Sequence, residues 1–214
     1  MAADAAAPVA IAILAKAPIP GLAKTRLIPA LGEAGAATLQ ARLTARAVVT
    51  AMAAGTGPVT LWAAPDERHP AFAQLAERFA VALARQDDGD LGARMLAALA
   101  AANGPALVIG TDCPALTAEH LGAAADVLRQ GTDVVVIPVE DGGYALIGAR
   151  AAQPALFRDM RWSTPGVMAE TRRRLAARVL TWREPVKLWD VDVPEDLERL
   201  RASGLRDLIP GDRE

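Results

Sequence analysis

The stretch VAIAILAKAPIPGLAKTRL, Val9 to Leu27, joins two different kinds of chain. Its first part is an apolar run that ends in Lys16, short enough for a strand and without a polar face. Strands buried on both faces belong to parallel sheets covered by helices. The second part is a loop held by Pro18, Pro20 and Gly21 that delivers Lys24, Thr25 and Arg26. Proline fixes φ, so the loop is partly shaped before any ligand arrives. Three cations and several backbone amides at a strand end suit a diphosphate or triphosphate. The alternative is a solvated basic loop; the Gly-x-x-x-x-Gly-Lys pattern of a Walker loop is absent.

Working outward, apolar runs alternate with segments of helical period. Strands are expected at Val59–Ala64, Val81–Gln86 and Ala106–Asp112, and helices at Glu33–Ala54, His69–Phe79 and Leu91–Ala102. Thr117 is placed to cap a helix that ends before Gly131. Asp133–Asp141 and Tyr144–Ala149 flank a Gly-Gly turn and read as an antiparallel pair. An Arg-rich helix over Thr164–Ala177, two short β-like pieces and a last helix over Pro194–Ala202 follow, with a frayed tail after Leu208. This order implies an α/β domain, a three-layer sandwich with a mainly parallel, mixed central sheet. One domain over 1–214 is expected, with its core at about 9–203.

Composition narrows the function classes. The chain has 214 residues, 52% hydrophobic but only 4% aromatic, and a formal net charge of −2, which offers no global field for nucleic acid or membrane. The single cysteine, Cys113, excludes an intrachain disulfide framework and reads as a small buried side chain. The N-terminal segment lacks the basic start of an export signal, and no run is long enough for a membrane span, so a cytoplasmic location is expected. His69 and His120 fall at helix starts and read as surface residues.

Ligands of open α/β sheets bind beyond the carboxyl ends of the strands, which selects the residues to watch. Asp112, in GTDCPAL, follows the strongest apolar strand, where a carboxylate can reach a phosphate-held metal or cap the next turn. In LWDVDVPEDL, one of Asp190 and Asp192 is expected to face the site while the other turns away. Asp192 is the metal candidate, with Asp190 behind it; Glu195 and Asp196 suit a helix first turn. Gly142 and Gly143 in EDGGYALIG allow either close ligand approach or a hairpin turn. Gly89, Asp90 and Gly92 in GDLGARM bracket a helix start that could admit a base or ribose. RWSTPG, with Trp162, suits acceptor recognition or a helix cap.

The series AKAPIPGLAKTRL, GDLGARM, GTDCPAL, DGGYALIG and DVDVPEDL, in this order, resembles the rSAM/selenodomain-associated transferase 1 group. These are glycosyltransferases of arsenosugar-biosynthesis type with the nucleotide-diphospho-sugar transferase (GT-A-like) fold. The resemblance runs from about Val9 to Leu200 and extends more distantly to phospholactate and molybdenum-cofactor guanylyltransferases. It implies a nucleotide site made by Ala15, Lys16, Lys24, Thr25, Arg26, Gly89, Asp90 and Gly92. It implies Mg²⁺ or Mn²⁺ on Asp112 and Asp192, which with Lys24 form the catalytic set. Asp141, Gly142, Gly143, Tyr144 and Trp162 are the expected surround of a small-molecule acceptor. The Asp-x-Asp of many sugar transferases is reduced here to Thr111-Asp112-Cys113, which gives Asp192 more weight.

Two reactions share this machinery: glycosyl transfer from a nucleotide-sugar, favoured by the resemblance, and nucleotidyl transfer with release of pyrophosphate, favoured by the Lys-Thr-Arg loop. A non-catalytic nucleotide-binding regulator is a third reading, opposed by the two candidate metal carboxylates. The oligomeric state stays open, with a homodimer one option.

Overall fold

In the computed structural model, which describes residues 7–212, seven strands form one sheet in the order β3-β2-β1-β4-β6-β5-β7. The strands are β1 (Ala10–Lys16), β2 (Val59–Ala64), β3 (Ala82–Arg85), β4 (Ala106–Ile109), β5 (Val134–Pro138), β6 (Tyr144–Ala149) and β7 (Trp182–Arg183). All neighbours are parallel except β6, which runs antiparallel to β4 and β5. The expected mixed, mainly parallel sheet is therefore present. The Gly-Gly turn reverses the chain between β5 and β6, and β6 then inserts between β4 and β5.

The helices are α1 (Ile28–Ala54), α2 (Pro70–Phe79), α3 (Leu91–Ala101), α4 (Ala118–Arg129), α5 (Pro154–Phe157), α6 (Val167–Ala177) and α7 (Glu195–Ala202). Gly32 interrupts α1 with φ 69° and ψ 169°, so its long regular part starts at Glu33, where the sequence reading put it. Local signals explain several other boundaries. Thr117 and His120 form a reciprocal capping box on α4, the His69 side chain accepts from Ala71 N at the start of α2, and Asp90 caps α3. Both histidines are thus helix caps.

Helices cover both faces. Val48, Phe72, Leu121 and Leu128 of α1, α2 and α4 pack with Ile11, Ile13 and Leu61 on one side. Met95, Leu99, Phe157, Met168 and Leu175 of α3, α5 and α6 pack with Ala12, Val108 and Ile147 on the other. Burying one such large side chain contributes roughly 1.5–3 kcal/mol. The tail departs from expectation. Leu208 and Ile209 are buried against Leu27, Leu39 and Val191, and Arg201 pairs with Asp212 at 2.6 Å. Apolar residues near the chain end find a third cluster here, so the tail is anchored as far as Asp212 rather than frayed, and residues 213–214 lie outside the described residues. Residues 1–6, the start of the segment weighed as an export signal, lie outside the described residues. Among the described residues no helix is long and apolar enough to cross a membrane.

Candidate active site

A cavity of about 670 Å³ opens at the carboxyl ends of β1 and β4, where open α/β sheets place ligands. Its walls bring together most of the charged and polar residues singled out from sequence: Lys16 at the end of β1, Lys24, Thr25 and Arg26 after it, and Asp112, Asp141, Asp190 and Asp192. Ala15 and Tyr144 line it as well.

The loop after β1 is fastened to the acids. Lys24 adopts a left-handed conformation, φ 49° and ψ 46°, and its side chain is only 3% exposed. Its Nζ lies 2.7 Å from Asp112 Oδ1 and donates to Val191 O at 2.5 Å. Val191 N in turn donates to Asp112 O at 2.8 Å, joining the end of β4 to the segment before α7. Arg26 pairs with Asp192 at the more exposed rim. Each candidate metal ligand is thus held by one loop cation. Behind Asp112, buried Gln40 donates to Thr111 Oγ1 at 3.0 Å, and Thr111 donates to Asp112 Oδ1 at 3.3 Å. Gln40 and Thr111 orient the carboxylate from the core side.

Asp190 and Asp192 both line the cavity, as side chains two residues apart do when they share one face of the chain. This corrects the expectation that one would turn away. The backbone N–H groups of Asp192 and Val193 donate to Asp196 Oδ2 at 2.8 and 2.9 Å, which ties the first turn of α7 back to the segment that carries Asp192. The Asp190 carboxyl is pushed up to about 6, first by desolvation, then by Asp141, with Asp112 adding to the repulsion. Of the four carboxylates around the cavity, only Asp112 and Asp192 are paired with a cation among the described residues. Burial pushes the Cys113 thiol up to about 12 and raises the Tyr144 hydroxyl further, so neither is an activated nucleophile.

The glycine-rich stretches lie close by, but their glycines shape the walls rather than line them. An added Cβ on Gly92 would stand 2.6 Å from Trp162 Cζ2 and 2.7 Å from Phe157 O. Trp162 stacks on Phe157, meets Tyr144 edge-on, and supports the Ser163–Pro165 segment that does line the cavity. Gly142 has φ 93°, and an added Cβ would stand 2.2 Å from Pro165 O. Gly143 N donates to Asp141 Oδ1 at 2.8 Å, orienting that acid. Neither Gly89 nor Asp90 is a wall residue; from the same stretch Leu91, Arg94 and Met95 are. Sequence reading passed over Gln40, Gln86 and Arg94. Arg94 had one usable signal, its place three residues after Leu91 on a helix face.

A bacterial family model described as "Uncharacterized protein conserved in bacteria (DUF2064)" matches residues 44–164, from within α1 through Asp112 to the Trp162 loop. The chain belongs to this family. This DUF2064 protein is 31% identical over 189 residues to a phosphoenolpyruvate guanylyltransferase of Rubrobacter xylanophilus, covering 85% of this chain and 89% of that protein. Its fold matches a Desulfovibrio desulfuricans G20 structure, provisionally described as a nucleotide-diphospho-sugar transferase, with a TM-score of 0.80, 25% identity and coverage of 94% and 93%. A Mycobacterium tuberculosis H37Rv protein solved with manganese matches at a TM-score of 0.53 and 17% identity, with coverage of 91% and 99%. The nucleotide-diphospho-sugar transferase fold expected from sequence is the fold of this chain, and the chain, like these relatives, is a transferase.

Proposed function

We propose that this DUF2064 protein is a nucleotidyltransferase that moves a nucleoside monophosphate from a nucleoside triphosphate to a small anionic acceptor. The observation that carries this reading is the pairing of a pre-shaped cationic loop with strand-end carboxylates: Lys24 on Asp112 and Arg26 on Asp192, in one cavity with Lys16. Three cations on one loop match the charge of a triphosphate better than that of a nucleotide-sugar. An acceptor oxyanion attacks the α-phosphorus, a new P–O bond forms, and the bond to the bridging oxygen breaks as pyrophosphate leaves. No protein nucleophile is required, which accords with the deactivated Cys113 and Tyr144. Lys16, Lys24 and Arg26 stabilise charge that grows on the departing pyrophosphate.

The donor set suits Mg²⁺ or Mn²⁺, since it is all oxygen, and the crowding of Asp190 by Asp141 and Asp112 is the repulsion a cation relieves. Among the described residues no three acid, histidine or cysteine side chains are already gathered as a metal cage. That fits Mg²⁺, which takes one or two carboxylates and completes its shell with water and substrate phosphates. Asp112 and Asp192 would hold it; when bound it polarises phosphate oxygens and lowers the barrier to pyrophosphate departure. We place the enzyme in the cytoplasm, where nucleoside triphosphates are made.

Glycosyl transfer remains the second reading, supported by the description of the Desulfovibrio fold match and by the resemblance to the rSAM-associated group. The two separate by product. The protein is incubated with Mg²⁺ and each of the four ribonucleoside triphosphates, with phosphoenolpyruvate first among the acceptors because of the Rubrobacter relative, and in parallel with nucleotide-sugars. Pyrophosphate release supports nucleotidyl transfer. Nucleoside diphosphate release from a sugar donor overturns it, and absence of both leaves the regulator reading.

A further inference from the structure

Arg94 is a wall residue of the cavity whose guanidinium Nε is buried without a hydrogen-bond partner among the described residues. A donor cut off from water and left unpaired is costly, and such groups in native proteins point to something that completes them. Its surroundings narrow what that is. Arg94 stands on the face of α3 that also carries Leu91 and Met95, both of which line the cavity. Met95 accepts the Tyr144 hydroxyl at 3.8 Å, which ties this face to the Asp141–Tyr144 turn rather than to the loop after β1. Lys24 and Arg26 already hold carboxylates, whereas Arg94 forms no ion pair among the described residues. It also sits in the first turn of α3, where the positive helix end repels its charge. Both facts ask for an anion. A guanidinium fork matches carboxylate or phosphate in two parallel hydrogen bonds, with apolar Leu91 and Met95 flanking the pair.

We propose that Arg94 is the specificity-determining residue for the acceptor, forming an anion subsite that takes the acceptor's carboxylate or phosphate apart from the loop that grips the donor. The inference rests on the nucleotidyl-transfer reading, in which Lys16, Lys24 and Arg26 account for the donor phosphates and the acceptor must bring an anionic group of its own. A lysine cannot reproduce the fork, so the subsite selects planar or tetrahedral oxyanions over neutral acceptors.

The test uses wild type, Arg94→Lys and Arg94→Gln, each checked for an unchanged melting profile. Calorimetry measures binding of GTP with Mg²⁺, then of phosphoenolpyruvate and of inorganic phosphate to the GTP-loaded protein. Arg94→Gln should weaken phosphoenolpyruvate binding about tenfold or more, Arg94→Lys should weaken it less, and GTP affinity should stay within twofold. In turnover the same split appears as a raised KM for the acceptor with the KM for GTP unchanged, which a merely structural role would not produce. Unchanged acceptor binding, weakened GTP binding, or failure of the wild type to bind either acceptor probe overturns the assignment. If Arg94→Gln unfolds, the Arg94→Lys comparison decides alone. Loss of pyrophosphate release with Arg94-dependent probe binding intact would instead fault the transfer reading and leave the subsite standing.

Discussion

Lys24 Nζ and Asp112 Oδ1 are 2.7 Å apart, yet the two partners are not equally dry: the lysine side chain is 3% exposed and the aspartate side chain 50%. The ammonium is therefore the group that depends on the pair. Replacing Asp112 by Ala leaves a buried cation with Val191 O as its remaining partner and should cost about 2–3 kcal/mol. Replacing Lys24 by Met leaves a half-exposed carboxylate that water can solvate, at a cost of about 1 kcal/mol or less. The double variant should regain most of the stability lost in Asp112→Ala. Denaturant unfolding of the three proteins reads this directly, and equal losses for both single variants would contradict the asymmetry. All three should be inactive.

Arg26 and Asp192 form the exposed counterpart of that pair, with side chains 65% and 42% exposed. Solvent screening leaves little stability in such a contact, so Arg26→Ala should change the unfolding free energy by under about 1 kcal/mol. Its effect belongs to binding. Losing a charge-assisted contact to a donor phosphate, worth roughly 1.5–3 kcal/mol, should weaken nucleotide affinity about 10- to 100-fold. Calorimetric titration with GTP and Mg²⁺ measures it; wild-type affinity in Arg26→Ala would remove Arg26 from the donor site.

The strands and the charged wall were legible because their signals are local. A short apolar run followed by a Pro-Gly loop marks β1 and its strand end, and Thr117 marks a helix start whatever surrounds it. What stayed hidden depends on tertiary approach. Gly92 and Gly142 read as ligand-facing because glycine permits any close approach, and sequence does not say that Trp162 and Pro165 are what approaches. The Asp190/Asp192 reading failed because it set residues two apart on opposite sides, whereas extended chain returns its side chains to the same face at every second residue, and both acids line the cavity. Gln40 sits in an alanine-rich helix where only its contact with Thr111, 71 residues away, reveals its use.

The two glycines of the turn should therefore respond differently. Gly142→Ala forces a Cβ to 2.2 Å from Pro165 O at φ 93°, a backbone clash added to a strained conformation, and should cost about 3 kcal/mol or more. Gly143 lies in ordinary backbone space, and its added Cβ would meet Asp141 Oδ1 at 3.2 Å, so Gly143→Ala should fold with a loss near or below about 1 kcal/mol. A turn that tolerates Ala equally at both positions would mean that Pro165 moves freely. Thermal melts of the two variants are sufficient to decide.

Metal and nucleotide should bind each other's complexes better than they bind the free protein. In the ligand-free arrangement Asp112 and Asp192 are occupied by Lys24 and Arg26, so an ion alone must displace cations and a nucleotide alone must leave carboxylates bare. Together they allow a clean exchange, cations to phosphates and carboxylates to the ion. A coupling of about 1–3 kcal/mol is expected, seen as a 5- to 150-fold gain in GTP affinity when Mg²⁺ replaces chelator. The reciprocal gain in Mn²⁺ affinity on adding GTP must be equal and can be followed by spin resonance of the free ion. Asp112→Asn should abolish most of the coupling; full activity of that variant in chelator would refute the metal mechanism.

Asp190 gives the cavity an unusual pH response. Its carboxyl rises from the ordinary 3.8 to about 6 in the folded chain, so the fold prefers the protonated form. The stability this group contributes is fully present below about 3.8 and is lost as pH rises through about 6, the reverse of a salt-bridged acid. A shift of that size would correspond to about 3 kcal/mol in full, and partial exposure with solvent screening reduces it to about 1–2 kcal/mol. Asp190→Asn holds the site permanently neutral at this position. In chelator at pH 7.5 the variant should melt about 2–8 °C above wild type, and the difference should vanish near pH 4. Mg²⁺ with GTP should narrow the gap at pH 7.5, because an ion relieves the repulsion that Asp141 and Asp112 impose. A variant no more stable than wild type at pH 7.5, or a gap that is independent of pH, would show that neither burial nor the neighbouring acids disfavour the Asp190 carboxylate in the metal-free protein.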